Sequence, residues 1–191
     1  MNEALLPVEG PEYKVQNVVV TGKLAPSLNL VSLNNKIDNS VYEPAKFPAL
    51  RIKMFGVGFL LYSSGNFVCS GARGTADAQE KANQLACLIR EKKVDVENPN
   101  VEVRNIVVSV NLKRSLRLHE LAYVIPDSEY DPEAFPGMKL RKGSTRILVF
   151  RTGKAIIPGL RTIEEVESTI GWLKRTLDSA EGEVDTFKKP Y

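Results

Sequence analysis

Apolar and polar residues alternate along several short stretches of the chain, and this alternation predicts β-strands. The predicted strands cover 15–24, 49–55, 57–63 and 66–72, and then 103–112, 137–142, 145–151 and 154–160. A Ser-Gly-Asn sequence at 64–66 indicates a hairpin turn between two of them. Because tight turns join consecutive strands, the pattern predicts antiparallel sheet, in which helices cover one face and leave the other open.

Two longer stretches place an apolar residue at every third or fourth position, which predicts amphipathic helices. The first begins at Thr75, and the second follows Thr162, which fits a capping box with Glu165. Shorter apolar stripes predict one further helix ahead of each of these. Residues 1–13 are predicted to form an N-terminal tail and residues 180–191 a C-terminal tail.

The order of predicted elements occurs twice, and so does the sequence. Shifted by 88 residues, the chain from residue 15 onward aligns with itself over 58 positions, of which 18 are identical. Average composition would give about four. The clearest match joins 42–50 to 130–138, each with two prolines around a Phe. We therefore predict two repeats, 14–100 and 101–179, each containing a strand, a helix, four strands and a helix, and the fold class α+β.

Strand alternation also assigns side chains to the open face. Gln16 is expected on the opposite face with Val18 and Val20. Burial in a core is the simplest interpretation of open-face Val and Leu. Asn17 and Asn105 argue for an accessible surface instead, because a buried Asn needs several hydrogen-bond partners. The expected open-face set is Asn17, Val19, Thr21, Leu60, Val68 and Ser70, with Asn105, Val107, Ser109, Leu148 and Ile156 in the second repeat.

An aromatic pair flanks this set in each repeat: Phe47 with Tyr62, and Phe135 with Phe150. Such a surface suits the DNA minor groove, where A·T pairs offer only acceptors and G·C adds an amine donor. Asn amides and hydroxyls would meet the acceptors, and small apolar side chains would lie along the floor. The aromatic side chains would enter base steps, unstack them and kink the duplex.

Basic residues at the edges of the face would meet phosphates. The net charge of +3 and the isoelectric point of about 8.8 are by themselves only weak indications of nucleic-acid binding. Solvated surface charge is the alternative for each residue alone, and the recurrence of basic residues at three pairs of repeat positions argues against it, namely Arg51/Lys139, Lys53/Arg141 and Arg73/Arg161. The candidates are Arg51, Lys53 and Arg73 in the first repeat and Lys139, Arg141, Lys154 and Arg161 in the second.

Other classes of function find little support. The single histidine, His119, has no nucleophile, metal cluster or phosphate loop around it, so neither an enzyme nor a cofactor or metal site is expected. Cys69 and Cys87 lie in apolar runs without CxxC spacing, and we expect buried, reduced thiols of an intracellular protein. No apolar run approaches the length of a membrane span, and the N-terminus lacks the pattern of a signal peptide.

Over nearly all of 13–178, the sequence resembles the TATA-box-binding protein family. Gln16-Asn17-Val18-Val19 and Arg104-Asn105-Ile106-Val107 are similar to the family's Gln-Asn-Ile-Val. The twin stretches at 42–50 and 130–138 resemble its two stirrup loops, and 61–65 and 149–153 resemble its Ile-Phe-x-Ser-Gly turns. This family is itself the standard example of minor-groove bending.

The resemblance implies a saddle-shaped fold with a pseudo-two-fold axis, a wide curved sheet of about ten strands and four helices on the convex side. It implies a general transcription initiation factor that binds TATA-like promoter DNA, inserts Phe47, Tyr62, Phe135 and Phe150 as wedges, and nucleates the preinitiation complex. Asp131 and Glu133 of the second stirrup would meet a protein similar to transcription factor IIB. A factor IIA-like protein or the RNA polymerase machinery would be further partners. The expected location is the nucleus, with the cytoplasm as the alternative for an archaeal protein or one in a viral factory.

Several departures from the family pattern indicate a divergent member, from a distant lineage or a virus. Tyr62 replaces a usual Phe, Pro158 a Thr and Asn66 a common Lys. The first long helix, 76–93, has mixed charge where eukaryotic members are strongly basic, which weakens the expectation of a factor IIA-like partner. The alternative is a regulator of the same fold that uses the surface mainly to bind proteins, with weakened or altered DNA specificity.

Overall fold

The computed structural model describes residues 13–187, which form two compact units. Among these residues the first unit contains 16–105, and the second contains 13–15 and 106–187. The strands are β1 (Tyr13–Lys23), β2 (Ser40–Val41), β3 (Leu50–Met54), β4 (Val57–Leu61), β5 (Asn66–Ala72), β6 (Glu102–Asn111), β7 (Gly137–Lys142), β8 (Thr145–Phe150) and β9 (Lys154–Leu160). The helices are α1 (Leu30–Asn34), α2 (Thr75–Glu91), α3 (Leu118–Val124) and α4 (Ile163–Phe187).

Each unit is built on antiparallel strands. In the first unit they are hydrogen-bonded in the order β2-β3-β4-β5-β1, and in the second in the order β6-β9-β8-β7. The described residues thus hold nine strands rather than about ten. The missing one is reduced to a single bridge between Glu129 and Lys139, which lies 88 residues after the Val41–Arg51 pair of β2 and β3.

The core of each unit lies between its strands and its helices. Alternate strand residues such as Ile52, Phe59 and Phe67 are almost fully buried, and α2 packs on β5 in the first unit. In the second unit α3 packs on β7 and on α4. Each fully buried Leu, Ile or Phe stabilises the fold by roughly 1.5–3 kcal/mol, which fixes the opposite strand face as the accessible one.

One of the two cysteines departs from expectation. Cys69 is buried as predicted, and burial raises the pKa of its thiol to about 12. Cys87 is exposed, so the prediction of a buried thiol was wrong there. The apolar stripe of α2 runs through Ala82, Leu85 and Ile89, and Cys87 lies outside it.

The ends of the chain also differ from expectation. The N-terminal tail predicted at 1–13 lies outside the described residues except for Tyr13, which begins β1. The C-terminal tail predicted at 180–191 is wrong for 180–187, where α4 continues to Phe187. Ala180 and Val184 are buried and extend the apolar stripe of α4 beyond Leu177, which explains why the helix does not stop there.

Candidate nucleic-acid interface

A row of cross-strand neighbours runs over the accessible face of the first unit. Arg51 pairs with Leu60, Leu60 with Val68, and Val68 with Thr21. Side chains directly opposite on paired strands project from the same face. We call these four residues the first-unit row. A parallel row joins Lys53, Gly58, Ser70 and Val19.

The second unit has the same row 88 residues later. Lys139 pairs with Leu148, Leu148 with Ile156, and Ile156 with Ser109. We call these residues the second-unit row. In both rows the basic residue is exposed and the others are half-buried, unlike the buried residues between them along each strand. The structure thus brings together, unit by unit, side chains that the sequence assigned to one face.

A β-bulge shapes the start of the first-unit face. Val18 pairs with Ala72 and Val19 with Ser70, so Gly71 is an extra residue on β5. Its φ of +102° is one that glycine adopts easily. The N–H of Gly71 donates to Asn17 Oδ1 at 2.8 Å. The Asn17 carbonyl oxygen is therefore used by the bulge, and its Nδ2 donors are directed to the other side of the amide.

The structure corrects one predicted orientation on β1. Gln16 is exposed, whereas Val18 and Val20 are buried. The strand changes phase beside the bulge, so Gln16 does not share the core face with those valines. The second unit has a matching register shift between Ile106 and Val108, and Asn105 and Val107 lie half-buried beside it.

The stirrup loops hold Phe47 and Phe135 by the same backbone hydrogen bond. The N–H of Phe47 donates to the Glu43 carbonyl, and the N–H of Phe135 to the Asp131 carbonyl, each at 2.9 Å. The side chains of the two acceptor residues act differently. Glu43 pairs with Lys46 at 2.8 Å and Arg51 at 3.0 Å.

Asp131 bonds its own loop instead. Its Oδ1 accepts from the backbone N–H groups of Glu133 and Ala134 at 3.1 and 3.3 Å. The carboxylate thereby shapes the stirrup, while Glu133 is exposed. Both residues predicted to meet a partner protein are therefore exposed, and Asp131 in addition holds the shape of the loop.

Tight turns hold the other two aromatic residues. Gly65 donates to the Tyr62 carbonyl and Gly153 to the Phe150 carbonyl, both at 2.9 Å. Both glycines have positive φ, +79° and +77°. A Cβ on Gly65 would lie 1.8 Å from the Ala25 carbonyl oxygen, and one on Gly153 would lie 2.0 Å from that of Arg114. These turns require glycine because the backbone passes so close.

The two aromatic pairs differ. The rings of Phe135 and Phe150 meet edge to face, with centroids 5.9 Å apart. A Cβ on Gly137, which pairs with Phe150, would lie 2.7 Å from the Phe135 ring and 3.0 Å from the Phe150 ring. In the first unit the equivalent residue is Ala49.

The first pair is more open. Phe47 is 37% exposed. Within residues 13–187, the ring contacts do not include one between Phe47 and Tyr62. We infer that the methyl group of Ala49 keeps these two rings apart, whereas Gly137 leaves room for Phe135 and Phe150 to touch.

The predicted phosphate-binding residues fall into two groups. The first group is exposed and lies on strands: Lys53, Arg141, Lys154, Arg51 and Lys139. Within this group, Arg51 and Lys139 form ion pairs with glutamates. Lys139 Nζ lies 3.4 Å from Glu129. Arg73 and Arg161 do not lie on strands: each precedes a long helix, and their backbone N–H groups donate to Asp77 and Glu165 at 2.8 and 2.7 Å.

Two basic residues on these surfaces were missed by the sequence analysis. Arg146 alternates with Leu148 and Phe150 along β8 and is exposed, a signal that strand alternation already contained. Arg104 donates its Nε–H to Thr21 Oγ1 at 2.9 Å. That contact joins residues 83 positions apart, and alternation along one strand does not reveal it.

Within residues 13–187, no group of three or more His, Cys, Asp or Glu side chains is arranged to hold a metal ion. None of the helices there is both long and apolar enough to cross a bilayer.

Comparison with known proteins identifies the family. Residues 12–92 and 100–180 each match the family described as "Transcription factor TFIID (or TATA-binding protein, TBP)". The TATA-box-binding protein of Methanocaldococcus jannaschii is 32% identical over 174 residues, which cover 88% of this chain and 93% of that protein. The TATA-box-binding protein of Methanococcus maripaludis is 34% identical over 179 residues, covering 91% and 98%.

A solved structure agrees. "Methanococcus jannaschii TBP" superimposes with a TM-score of 0.84 at 29% identity and covers 88% of this chain and 99% of its own. This likeness confirms the predicted α+β fold class. The family consists of transcription factors rather than enzymes, which confirms the prediction that the chain is not an enzyme. From the two matched repeats, the relatives and the fold together, the chain belongs to the TATA-binding protein family, as a divergent member.

Proposed function

We propose that this protein is a transcription initiation factor that binds the minor groove of TATA-like promoter DNA and kinks it. The relatives are named for binding the TATA box, and the duplicated surface supports the same activity here. The observation that carries the proposal is the pair of rows related by 88 residues, Arg51-Leu60-Val68-Thr21 and Lys139-Leu148-Ile156-Ser109.

The chemistry of each row fits a minor-groove floor rich in A·T pairs. A basic residue at one end meets phosphate, two apolar side chains lie against the floor, and a hydroxyl at the other end bonds an acceptor. In the first unit, the Nδ2 donors of Asn17 add two more hydrogens for adenine N3 or thymine O2, because its oxygen is held by Gly71.

The aromatic pairs supply the kinks. Each pair opens one base step, which costs a few kcal/mol for unstacking and is offset by the wider contact with a bent duplex. Flexible steps such as TA lower that cost, so part of the sequence preference arises from the deformability of the DNA. This mechanism is the established example for the family rather than a result specific to this chain.

Assembly of the transcription machinery is the downstream part of the proposal. The exposed Glu133 of the second stirrup would pair with basic residues of a transcription factor IIB-like protein, while Asp131 shapes the loop. A factor IIA-like protein and RNA polymerase remain proposed partners without an assigned surface. The relatives named above are archaeal, which supports a cytoplasmic rather than a nuclear location.

A binding titration on TATA and GC-rich duplexes, with a bending readout from dyes at the duplex ends, tests the central claim. We expect the wild type to prefer the TATA duplex and to bend it. Phe47→Ala and Phe135→Ala should each weaken binding at least tenfold and reduce the bend. Tyr123→Ala is the matched control, because it removes a 92% exposed aromatic from α3 rather than from a stirrup.

Equal affinity for both duplexes, or wedge variants that behave like Tyr123→Ala, would contradict the proposal. That result would favour the alternative of a regulator that mainly binds proteins. One observation keeps this alternative open: Pro158 cannot donate to the β8–β9 ladder, and only two residue pairs align there, against four between β4 and β5.

A further inference from the structure

Arg104 lies beside the row of the first unit. Its Nε–H donates to Thr21 Oγ1 at 2.9 Å, and its Nη2 lies 2.7 Å from Glu102 Oε2. The guanidinium is half exposed and lines a recess of about 580 Å³ together with Tyr62 and Val68. The equivalent residue of the first repeat is Gln16, so the two repeats carry different chemistry at this position.

The contact restricts the directions in which the Thr21 hydroxyl can donate. A hydroxyl has one proton and two acceptor lone pairs. Because an N–H of Arg104 occupies an acceptor position of Thr21 Oγ1, the hydroxyl proton points elsewhere. Thr21 ends the first-unit row, so that proton is available to an acceptor lying against the row. Arg104 and Thr21 together therefore present donors to whatever covers this recess.

Donors discriminate between base pairs in the minor groove. Adenine N3 and thymine O2 accept hydrogen bonds, whereas guanine adds an N2 amine that donates. A guanine N2 amine that faced the Thr21 hydroxyl and the guanidinium would meet hydrogen-bond donors, not acceptors. It would lose its hydrogen bond to water without gaining a new one, which disfavours guanine at this position.

We propose that Arg104 is a specificity-determining residue that, with Thr21, rejects guanine at one base pair under the first unit. The inference rests on the proposed function, since it requires the rows to lie on the minor groove. Before DNA binds, the Glu102 carboxylate holds the Arg104 guanidinium in place. On binding, the guanidinium leaves this carboxylate and contacts the minor groove instead. Arg104 also adds one positive charge that its counterpart Gln16 lacks.

The test compares wild type with Arg104→Gln, which installs the residue found at position 16. Binding is measured on a TATA duplex and on duplexes in which one A·T pair at a time is replaced by G·C or by inosine·C. Inosine lacks the amine of guanine but is otherwise alike in the groove. For the wild type we expect the G·C duplex to bind about tenfold or more weakly than the inosine duplex at the read position.

In Arg104→Gln that ratio should fall to about threefold at the same position and remain unchanged at the others. The slope of log affinity against log salt should drop by about one. Thr21→Val should reduce the guanine–inosine ratio at that position to the same extent. The double variant Thr21→Val, Arg104→Gln should reduce the ratio no further, because the two residues act together. Arg90→Gln on α2 is the control for charge alone and should retain the full ratio.

An unchanged guanine–inosine ratio in Arg104→Gln overturns the inference, even if the salt slope falls, since that pattern describes a phosphate contact only. Failure of the proposed function is distinguishable. In that case the wild type itself shows no TATA preference, and Phe47→Ala binds as the wild type does.

Discussion

The aromatic pairs of the two units share one backbone arrangement but differ in their contacts. Phe135 and Phe150 touch above Gly137, and Phe47 and Tyr62 stand apart beside Ala49. The stirrup hydrogen bonds and turn glycines are the same in both. The equivalent positions beside the pairs are Gly137 and Ala49, and we infer that the additional methyl group of Ala49 accounts for the open pair. The comparison teaches that the two repeats keep the same backbone geometry around the aromatic residues, while the identity and the mutual contact of those aromatic side chains differ between the repeats.

The largest effect tests what the units share. Gly65→Ala and Gly153→Ala should each destabilise the protein by roughly 3 kcal/mol or more, because positive φ and a backbone clash act together. Chemical denaturation measures the loss. Gly143→Ala is the control: it has φ +58° but nothing within 4 Å of the added Cβ, so only about 1 kcal/mol of backbone strain is expected. A Gly65→Ala variant no less stable than Gly143→Ala would contradict the close approach.

The next effect tests where the units differ. A double-mutant cycle of Phe135→Leu and Phe150→Leu should give a coupling of about 0.5–1.5 kcal/mol in unfolding free energy, since the rings meet edge to face. The same cycle on Phe47 and Tyr62 should give a coupling near zero. Gly137→Ala should lower the second-unit coupling towards the first-unit value. Equal coupling in both units would refute the role assigned to Ala49.

Tyr62 distinguishes the pairs once DNA is bound. Its hydroxyl loses water when the ring enters a base step, a cost of roughly 1 kcal/mol or more without a new partner. Tyr62→Phe should therefore tighten TATA binding about three- to tenfold, and Phe150→Tyr should weaken it similarly. Fluorescence anisotropy titration checks both variants. If neither changes affinity, the two hydroxyl positions remain in water and these rings are not fully inserted.

The smallest effect concerns the basic ends of the rows. Glu43→Gln breaks an exposed ion pair with Arg51, so unfolding free energy should change by less than about 0.5 kcal/mol. DNA affinity should rise a few-fold, because Arg51 no longer exchanges a carboxylate for a phosphate. Glu129→Gln should raise DNA affinity by a smaller factor, because the Lys139–Glu129 ion pair that it breaks is longer, at 3.4 Å. A larger gain from Glu129→Gln would reverse this order.

Sequence alone predicted what depends on local periodicity and on the repeat. Alternation with a period of two put Leu60, Val68 and Thr21 on one face, and the strand register agrees. It failed at Gln16, because β1 itself changes phase there: Val15 and Val18 are both buried, with two accessible residues between them. Val18, Val19 and Val20 are all apolar, so the pattern of apolar and polar residues does not mark the change.

The remaining misses have similar causes. Arg104 reaches Thr21 across 83 residues, and only the folded chain brings the two together. The end of α4 was placed too early because its last turns bury a sparse stripe of Ala180 and Val184 among charged residues. The reduced β2 equivalent at Glu129 was not foreseen, since a single bridge leaves no run of alternating residues.

The contrast between the two cysteines makes the protein convenient to label. Burial raises the pKa of the Cys69 thiol to about 12, so this thiol stays protonated at pH 8, and it is inaccessible as well. The exposed Cys87 lies on α2, off the strands that carry the first-unit row. A maleimide dye should therefore attach at Cys87 in the native sequence. Promoter encounters could then be followed in single-molecule fluorescence without engineering a new attachment point.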